Sequence, residues 1–374
     1  MRAPSLRRSA RLLGLATILA AGAACAPVYG DAYLASFASA ERALHAGRYV
    51  EAAAAYDAAA GKALRVKDRD EARFLQARCF DKAGRWDAAR ATYERLVRES
   101  PTGPRTPRAA FEIANVEIDH GDVEKGYAML ADTARRFPQN GVARPTIRRL
   151  VAHIAEARGE PAARAWLAAH EAAFRGTYEE QTIGYEIALS LDREGKKLEA
   201  HDALMASARA HPYPKGGLTD DALVRASKLD EELGRWGEAA KHLEDLLDTH
   251  EVSHGFAGKY DMASYERPRF PEAGLHLAEI YRDKLHDHAA ARKAFQASYR
   301  DHPTARKRDL AMWSEARLAL EDGDPKTACA LAERLARDFP DSRYTPCTRT
   351  ICPTAPASTR ECNDYILRAP SSDD

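Results

Sequence analysis

The chain has no excess of charge of either sign: among 374 residues, Lys and Arg number 56 and so do Asp and Glu. Without a net field to draw it to a phosphate backbone, nucleic acid is not an expected partner. Common enzyme motifs are missing too. The sequence contains no glycine loop to cradle a phosphate, no G-x-S-x-G elbow and no C-x-x-C pair. The apolar stretch Leu12 to Ala24 has thirteen residues, whereas a membrane-spanning helix needs about 20. No catalytic residue and no cofactor are assigned on this basis.

What is present instead is a recurrence. Gly47, Gly84 and Gly121 stand 37 residues apart, and equivalent glycines return as Gly159, Gly195, Gly234 and Gly323. Seven residues earlier come the small side chains Ala40, Ala77, Ala114, Ala152, Ala188, Ser227 and Ala316. Five residues later come Ala52, Ala89, Gly126, Ala200, Ala239 and Ala328, and nine later a larger apolar group such as Tyr56, Tyr93, Leu130, Leu204 or Leu243. Pro101, Pro138, Pro212 and Pro340 stand seventeen after the turn, where they would end a second helix. Each copy therefore predicts two antiparallel helices joined by a glycine free to take positive φ. An eighth copy puts His286 in the glycine position and, with Glu279 in the small slot, is imperfect. The Gly159 copy carries Arg164 in the other small slot with Ala163 one place earlier, as a single deletion would leave it.

The segment holding Ala77, Phe80, Gly84, Trp86, Ala89 and Tyr93 carries the pattern best. Over roughly residues 33–343 it resembles the tetratricopeptide repeat, a helix-turn-helix unit of about 34 residues. The resemblance implies an all-α fold, a TPR-like α-solenoid of about eight helix-turn-helix repeats whose first helices line a concave surface for partner segments. Such an array extends its core by adding repeats, so this length does not demand several globular domains.

Ten residues before the first three turns stand Phe37, Phe74 and Phe111, in the frame that the family usually points into its groove. Four residues further along come Glu41, Arg78 and Asn115, and the fourth repeat offers Arg149 and His153. Phe37, Phe74, Arg78, Phe111 and Asn115 are accordingly the candidate partner-binding residues, an apolar row beside polar groups that suits a peptide or helix. The competing reading packs the phenylalanines between adjacent repeats. The carboxylate clamp of some related proteins needs Lys and Asn where Phe37 and Glu41 stand, so that activity is not expected.

The start of the chain looks like a targeting segment. Arg2, Arg7, Arg8 and Arg11 precede the apolar stretch, and Gly22, Ala23 and Ala24 lead into Cys25. Small residues followed by cysteine resemble the bacterial lipoprotein signal, which implies lipidation of Cys25 and membrane contact through acyl chains alone. Ala26, where a retention aspartate would stand, points to the outer membrane, facing the periplasm. Gly22 departs from the motif, and ordinary cleavage after Ala23 or Ala24 would give a secreted protein instead. The expected organisation is a signal peptide at 1–24, a linker at 25–32, the solenoid at 33–343 and a cysteine-containing tail at 344–374.

Export bears on the other cysteines. Cys79 and Cys329 lie in repeat helices beside Phe80 and Ala328 and read as small buried hydrophobes. Cys347, Cys352 and Cys362 follow the last repeat; two of them are expected to form a disulfide, leaving one thiol over. No histidine follows Arg343, which argues against zinc in the tail.

The segment from His250 to His254 matches H-E-x-x-H, the pattern of zinc peptidases. Asp248 before it and Gly255 after it do not suit a catalytic helix, and a third ligand, Glu279 with Asp283 beside it, belongs to the next repeat. No metal site is assigned, and a zinc metallopeptidase stands only as an alternative. From Gly234 to His286 is 52 residues, so an insertion near 248–270 is expected, carrying His254, Phe256, Tyr260, Met262, Tyr265 and Phe270. These rings either contact a partner or fold back over the solenoid. The function expected is that of a non-enzymatic protein–protein interaction scaffold of the bacterial cell envelope, with envelope proteins or peptide segments as partners. A purely structural periplasmic spacer is the other alternative.

Overall fold

The computed structural model describes residues 29–177, 179–213, 216–248, 269–302 and 305–368, and these are helical without strands. Among the described residues eight helix pairs follow one another. They are α1 (Asp31–His45) with α2 (Tyr49–Lys62), α3 (Val66–Lys82) with α4 (Trp86–Glu99), α5 (Thr106–His120) with α6 (Val123–Arg136), and α7 (Ala143–Arg158) with α8 (Glu160–Phe174). Then come α9 (Glu180–Arg193) with α10 (Lys197–Ala210), α11 (Thr219–Glu232) with α12 (Trp236–Leu247), α13 (Arg269–Asp283) with α14 (His288–Arg300), and α15 (Arg308–Glu321) with α16 (Pro325–Asp338). The chain forms two compact units, one up to His153 and one from Ile154 onward. Within each, helices pack chiefly on their neighbours in sequence, the stacking of a TPR-like α-solenoid.

The corners are built as the glycines predict. Gly47, Gly84, Gly195, Gly234 and Gly323 take φ between 69° and 77°. In each case the following N–H reaches back five residues to a carbonyl: Arg48 to Ala43, Arg85 to Phe80, Lys196 to Leu191, Arg235 to Asp230 and Asp324 to Ala319. That is the Schellman closure, which satisfies the last carbonyls of the first helix. Gly121 differs, with φ −135°, and there Asp122 instead caps the second helix by accepting from the N–H of Lys125. His286 does take the left-handed position, with φ 51°. Its link is one residue longer, so the fully buried small residue is Ala278 and not Glu279.

The small slots are where the paired helices touch. Ala40, Ala77, Ala114, Ala188 and Ala316 are 0 % exposed, as are Ala52, Ala89, Ala200, Ala239 and Ala328. A Cβ on Gly126 would lie 2.5 Å from Cγ1 of Ile118, so only glycine fits there. Ala152 is the exception: it is exposed, while Val151 and Ile154 are buried. The single-residue link at Gly159 shifts the face of α7 by one place. Tyr56, Tyr93, Leu130, Leu204 and Leu243 fill the space beside the slots, each burial being worth about 1.5–3 kcal/mol.

After α16 the chain turns back over the last pair. Disulfides join Cys347 to Cys362 and Cys352 to Cys329, with Cα separations of 4.7 and 4.6 Å. Cys329 is thus not the free buried thiol its helical position suggested, and no thiol in the tail is left over. An exposed edge of α16 put it within reach of the tail. Cys79 is free and buried, its thiol pushed up to about 11 by that burial. Arg360 donates to the carbonyls of Pro340, Asp341 and Ser342 at 2.8–3.0 Å, holding the tail to the segment just after α16.

Candidate functional site

The phenylalanine row faces inward. Phe74 is 3 % and Phe111 8 % exposed; the Phe74 ring lies 5.6 Å from Tyr93, under the guanidinium of Arg105. Phe37 is half-buried between Tyr33 and Tyr56, at 5.5 and 5.3 Å. These three residues therefore do not form an open aromatic ladder, and the core reading holds for Phe74 and Phe111. The reason is helical geometry. Each phenylalanine precedes a small-slot alanine by three residues, and positions three apart share a face.

Beside them the polar row is mostly engaged. Glu41 accepts from the hydroxyl of Tyr56. Asn115 accepts from Nη1 of Arg149 at 2.6 Å and donates to Glu112 at 3.2 Å. Arg149 also pairs with Asp119 at 2.6 Å, and His153 stacks on Tyr127 at 3.5 Å. Only Arg78 of the five candidates is exposed.

In the second unit a groove of about 1010 Å³ opens among α12, α13 and α14. Leu277, Ala294 and Ala297 line it, together with charges of both signs, including Lys241, Asp245 and Lys293. Gly274 permits the close approach of α14, since a Cβ there would lie 2.9 Å from Oγ of Ser298. Tyr281 closes one side by donating to Glu244 at 2.5 Å, and burial raises its hydroxyl pKa. A lining of apolar and charged side chains can accept an amphipathic segment. Sequence reasoning missed this groove, though Gly237 and Gly274 fall outside the turn frame and were a usable signal.

The match at His250 to His254, the Cys25 segment and most of the insertion lie outside the described residues. Phe270 is described and is fully buried, its ring 6.2 Å from that of His302.

Tandem helix pairs with apolar and charged surfaces define a helical-repeat binding protein. Models described as tetratricopeptide repeat match residues 37–104, 69–141 and 310–342, so these stretches of the chain carry tetratricopeptide repeats. Among solved structures it is similar to the C-terminal part of a TPR repeat-containing protein from Cytophaga hutchinsonii. That pair shares 13 % identity over 74 % of this chain and 98 % of the other, with a TM-score of 0.41. The pilF protein of Pseudomonas aeruginosa shares 14 % identity over 65 % and 96 %, with a TM-score of 0.35. A tetratricopeptide repeat protein from Parabacteroides merdae shares 11 % over 75 % and 98 %, with a TM-score of 0.33. No curated protein matches the chain. Repeats of this family generally mediate protein–protein contact and are generally non-catalytic, which makes the chain an interaction scaffold.

Proposed function

We propose that this scaffold works in the bacterial cell envelope, tethered to the outer membrane by a lipidated Cys25 and facing the periplasm. It binds segments of other envelope proteins or peptides. The observation that supports export most directly is the pair of disulfides, Cys329–Cys352 and Cys347–Cys362, since such bonds persist in oxidising compartments. Among the described residues no helix is long and apolar enough to cross a membrane; the tether proposed is the acyl group on Cys25. The groove among α12, α13 and α14 offers the partner segment a preformed seat, which leaves most of the ordering cost with the partner.

The reading is tested in native envelopes with a fatty-acid label and a photo-crosslinker at Ala297. Labelled protein that follows the outer membrane, loses both label and membrane in Cys25→Ala, and yields protein adducts at Ala297 is the expected result. An unlabelled wild type would sink the tether. Absence of any adduct at Ala297 would sink the groove as the contact surface.

A further inference from the structure

Three side chains on consecutive helices of the second unit bring their coordinating atoms to one spot. His201 lies on α10, Asp230 on α11 and His242 on α12. Nε2 of His201 and Nε2 of His242 are 3.1 Å apart. Oδ2 of Asp230 is 3.4 Å from the first and 3.1 Å from the second. The Asp230 side chain is 0 % exposed, and those of His201 and His242 are 13 % and 11 % exposed.

Hydrogen bonding leaves this arrangement incompletely satisfied. Oδ2 of Asp230 is buried without a hydrogen-bond partner, although it points at the two imidazoles. Nδ1 of His201 lies 3.0 Å from Oδ1 of Asp202. That contact draws the ring proton to Nδ1 and leaves Nε2 as a lone pair aimed inward. Two imidazoles facing each other through Nε2, with a carboxylate oxygen against both, bring three atoms able to ligate to one spot.

The repeat supplies a comparison within the chain. Glu117 precedes Gly121 by four residues, as Asp230 precedes Gly234, and Arg90 follows Gly84 by six, as His201 follows Gly195. At the earlier position Glu117 is held by Nη1 of Arg90 at 2.7 Å and Nζ of Lys125 at 2.8 Å. Two permanent cations satisfy it. At the later position imidazoles face Oδ2, and Arg235 pairs with the other oxygen, Oδ1. The place filled by side-chain cations in one repeat is thus lined by metal-ligand types in the other.

We propose that His201, Asp230 and His242 form a binding site for a divalent first-row transition-metal ion, with zinc the best fit. Ligand atoms about 2.0–2.1 Å from a tetrahedral zinc ion stand roughly 3.3 Å apart, and the three separations here run from 3.1 to 3.4 Å. Two nitrogens and one oxygen suit zinc and its neighbours, whereas calcium and magnesium prefer oxygen alone. Asp202 acts as the outer carboxylate that orients a ligating histidine. Three protein ligands leave a fourth position for water or for a group brought by a partner. The ion would pin α10 to the following pair, and so set the stiffness of α12, which also lines the groove.

The test uses full-length protein without a histidine tag, stripped with a chelator and kept free of reductant so that the cysteines stay paired. It is titrated with Co²⁺ and then Zn²⁺. One saturable equivalent is expected, with visible cobalt bands displaced by zinc and a Tm that zinc raises. Asp230→Asn and His201→Ala each weaken binding at least tenfold, while the double variant His250→Ala, His254→Ala keeps it. The proposal is overturned if the wild type shows no saturable equivalent, or if binding survives Asp230→Asn and vanishes in the 250/254 variant. Should Asp230→Asn lose its helical circular dichroism, His201→Ala decides alone.

Discussion

The hydroxyl of Ser227 donates to the carbonyl of Ala239 across 3.0 Å, joining the two small-slot positions of the sixth helix pair. No larger side chain can sit in that contact, because both residues are essentially unexposed. Ser227→Ala loses one hydrogen bond and is expected to cost about 1 kcal/mol. Ser227→Leu forces the helices apart and is expected to cost about 1–3 kcal/mol or more. Urea unfolding of the two variants checks the order.

His286 holds a left-handed corner, φ 51°, that glycine holds in five other pairs. A side chain there is strained by roughly 1–2 kcal/mol relative to glycine, which loses part of that advantage through its freer unfolded chain. His286→Gly is therefore expected to raise stability by about 0.5–1 kcal/mol, and Gly84→Ala to lower it by about 1 kcal/mol. Thermal melts that moved both variants in the same direction would contradict this account of the corner.

The corners were legible because glycine, proline and the small slots are local signals whose offsets repeat. The faces were less so. Phe74 and Phe111 looked like a groove ladder, yet standing three residues before Ala77 and Ala114 they share the buried face. Cys329 was misread for a different reason: its partner Cys352 lies in a tail whose path over the last helix pair carries no periodic signal. The cluster of His201, Asp230 and His242 is spread over three helices. It becomes visible in the sequence only when Arg90 and Glu117 are laid on the same frame.

Reduction should loosen the tail and the last helix pair before the rest. Cys347 and Cys362 are 15 residues apart and Cys329 and Cys352 are 23 apart, loops for which cross-linking contributes about 3 kcal/mol in the chain-entropy account. Cys347→Ser is expected to expose amides of α15 and α16 to hydrogen exchange while leaving α1 to α6 protected, since stability in a repeat array is passed between neighbours. Uniform loss of protection along the chain would oppose it.

His276 lies 2.7 Å from Oε1 of Glu231 and 3.7 Å from Oε2 of Glu279. Hydrogen bonding to Glu231, then to Glu279, pushes its pKa up to about 9. The unfolded imidazole titrates near about 6.5, so the folded state binds the proton more tightly. The resulting stabilisation is complete below about pH 6.5 and fades as pH rises through about 9. Its amplitude is small, because the side chain is 39 % exposed and solvent screens the pair. Subtracting the pH–stability curve of His276→Gln from that of the wild type should isolate this decline.

Phe74 and Arg78 sit four residues apart on α3 and separate stability from recognition. Phe74 is 3 % exposed against Tyr93, so Phe74→Ala removes a core ring and is expected to cost about 3–5 kcal/mol. Arg78 is exposed, with its charge near the buried Tyr93 and Cys79, and Arg78→Glu is expected to change stability by less than about 0.5 kcal/mol. A partner that contacts this face would lose affinity with Arg78→Glu at unchanged Tm, whereas Phe74→Ala would weaken capture only as far as it unfolds the unit. If Arg78→Glu leaves every crosslinked partner in place and Ala297→Arg removes them, recognition belongs to the groove among α12, α13 and α14.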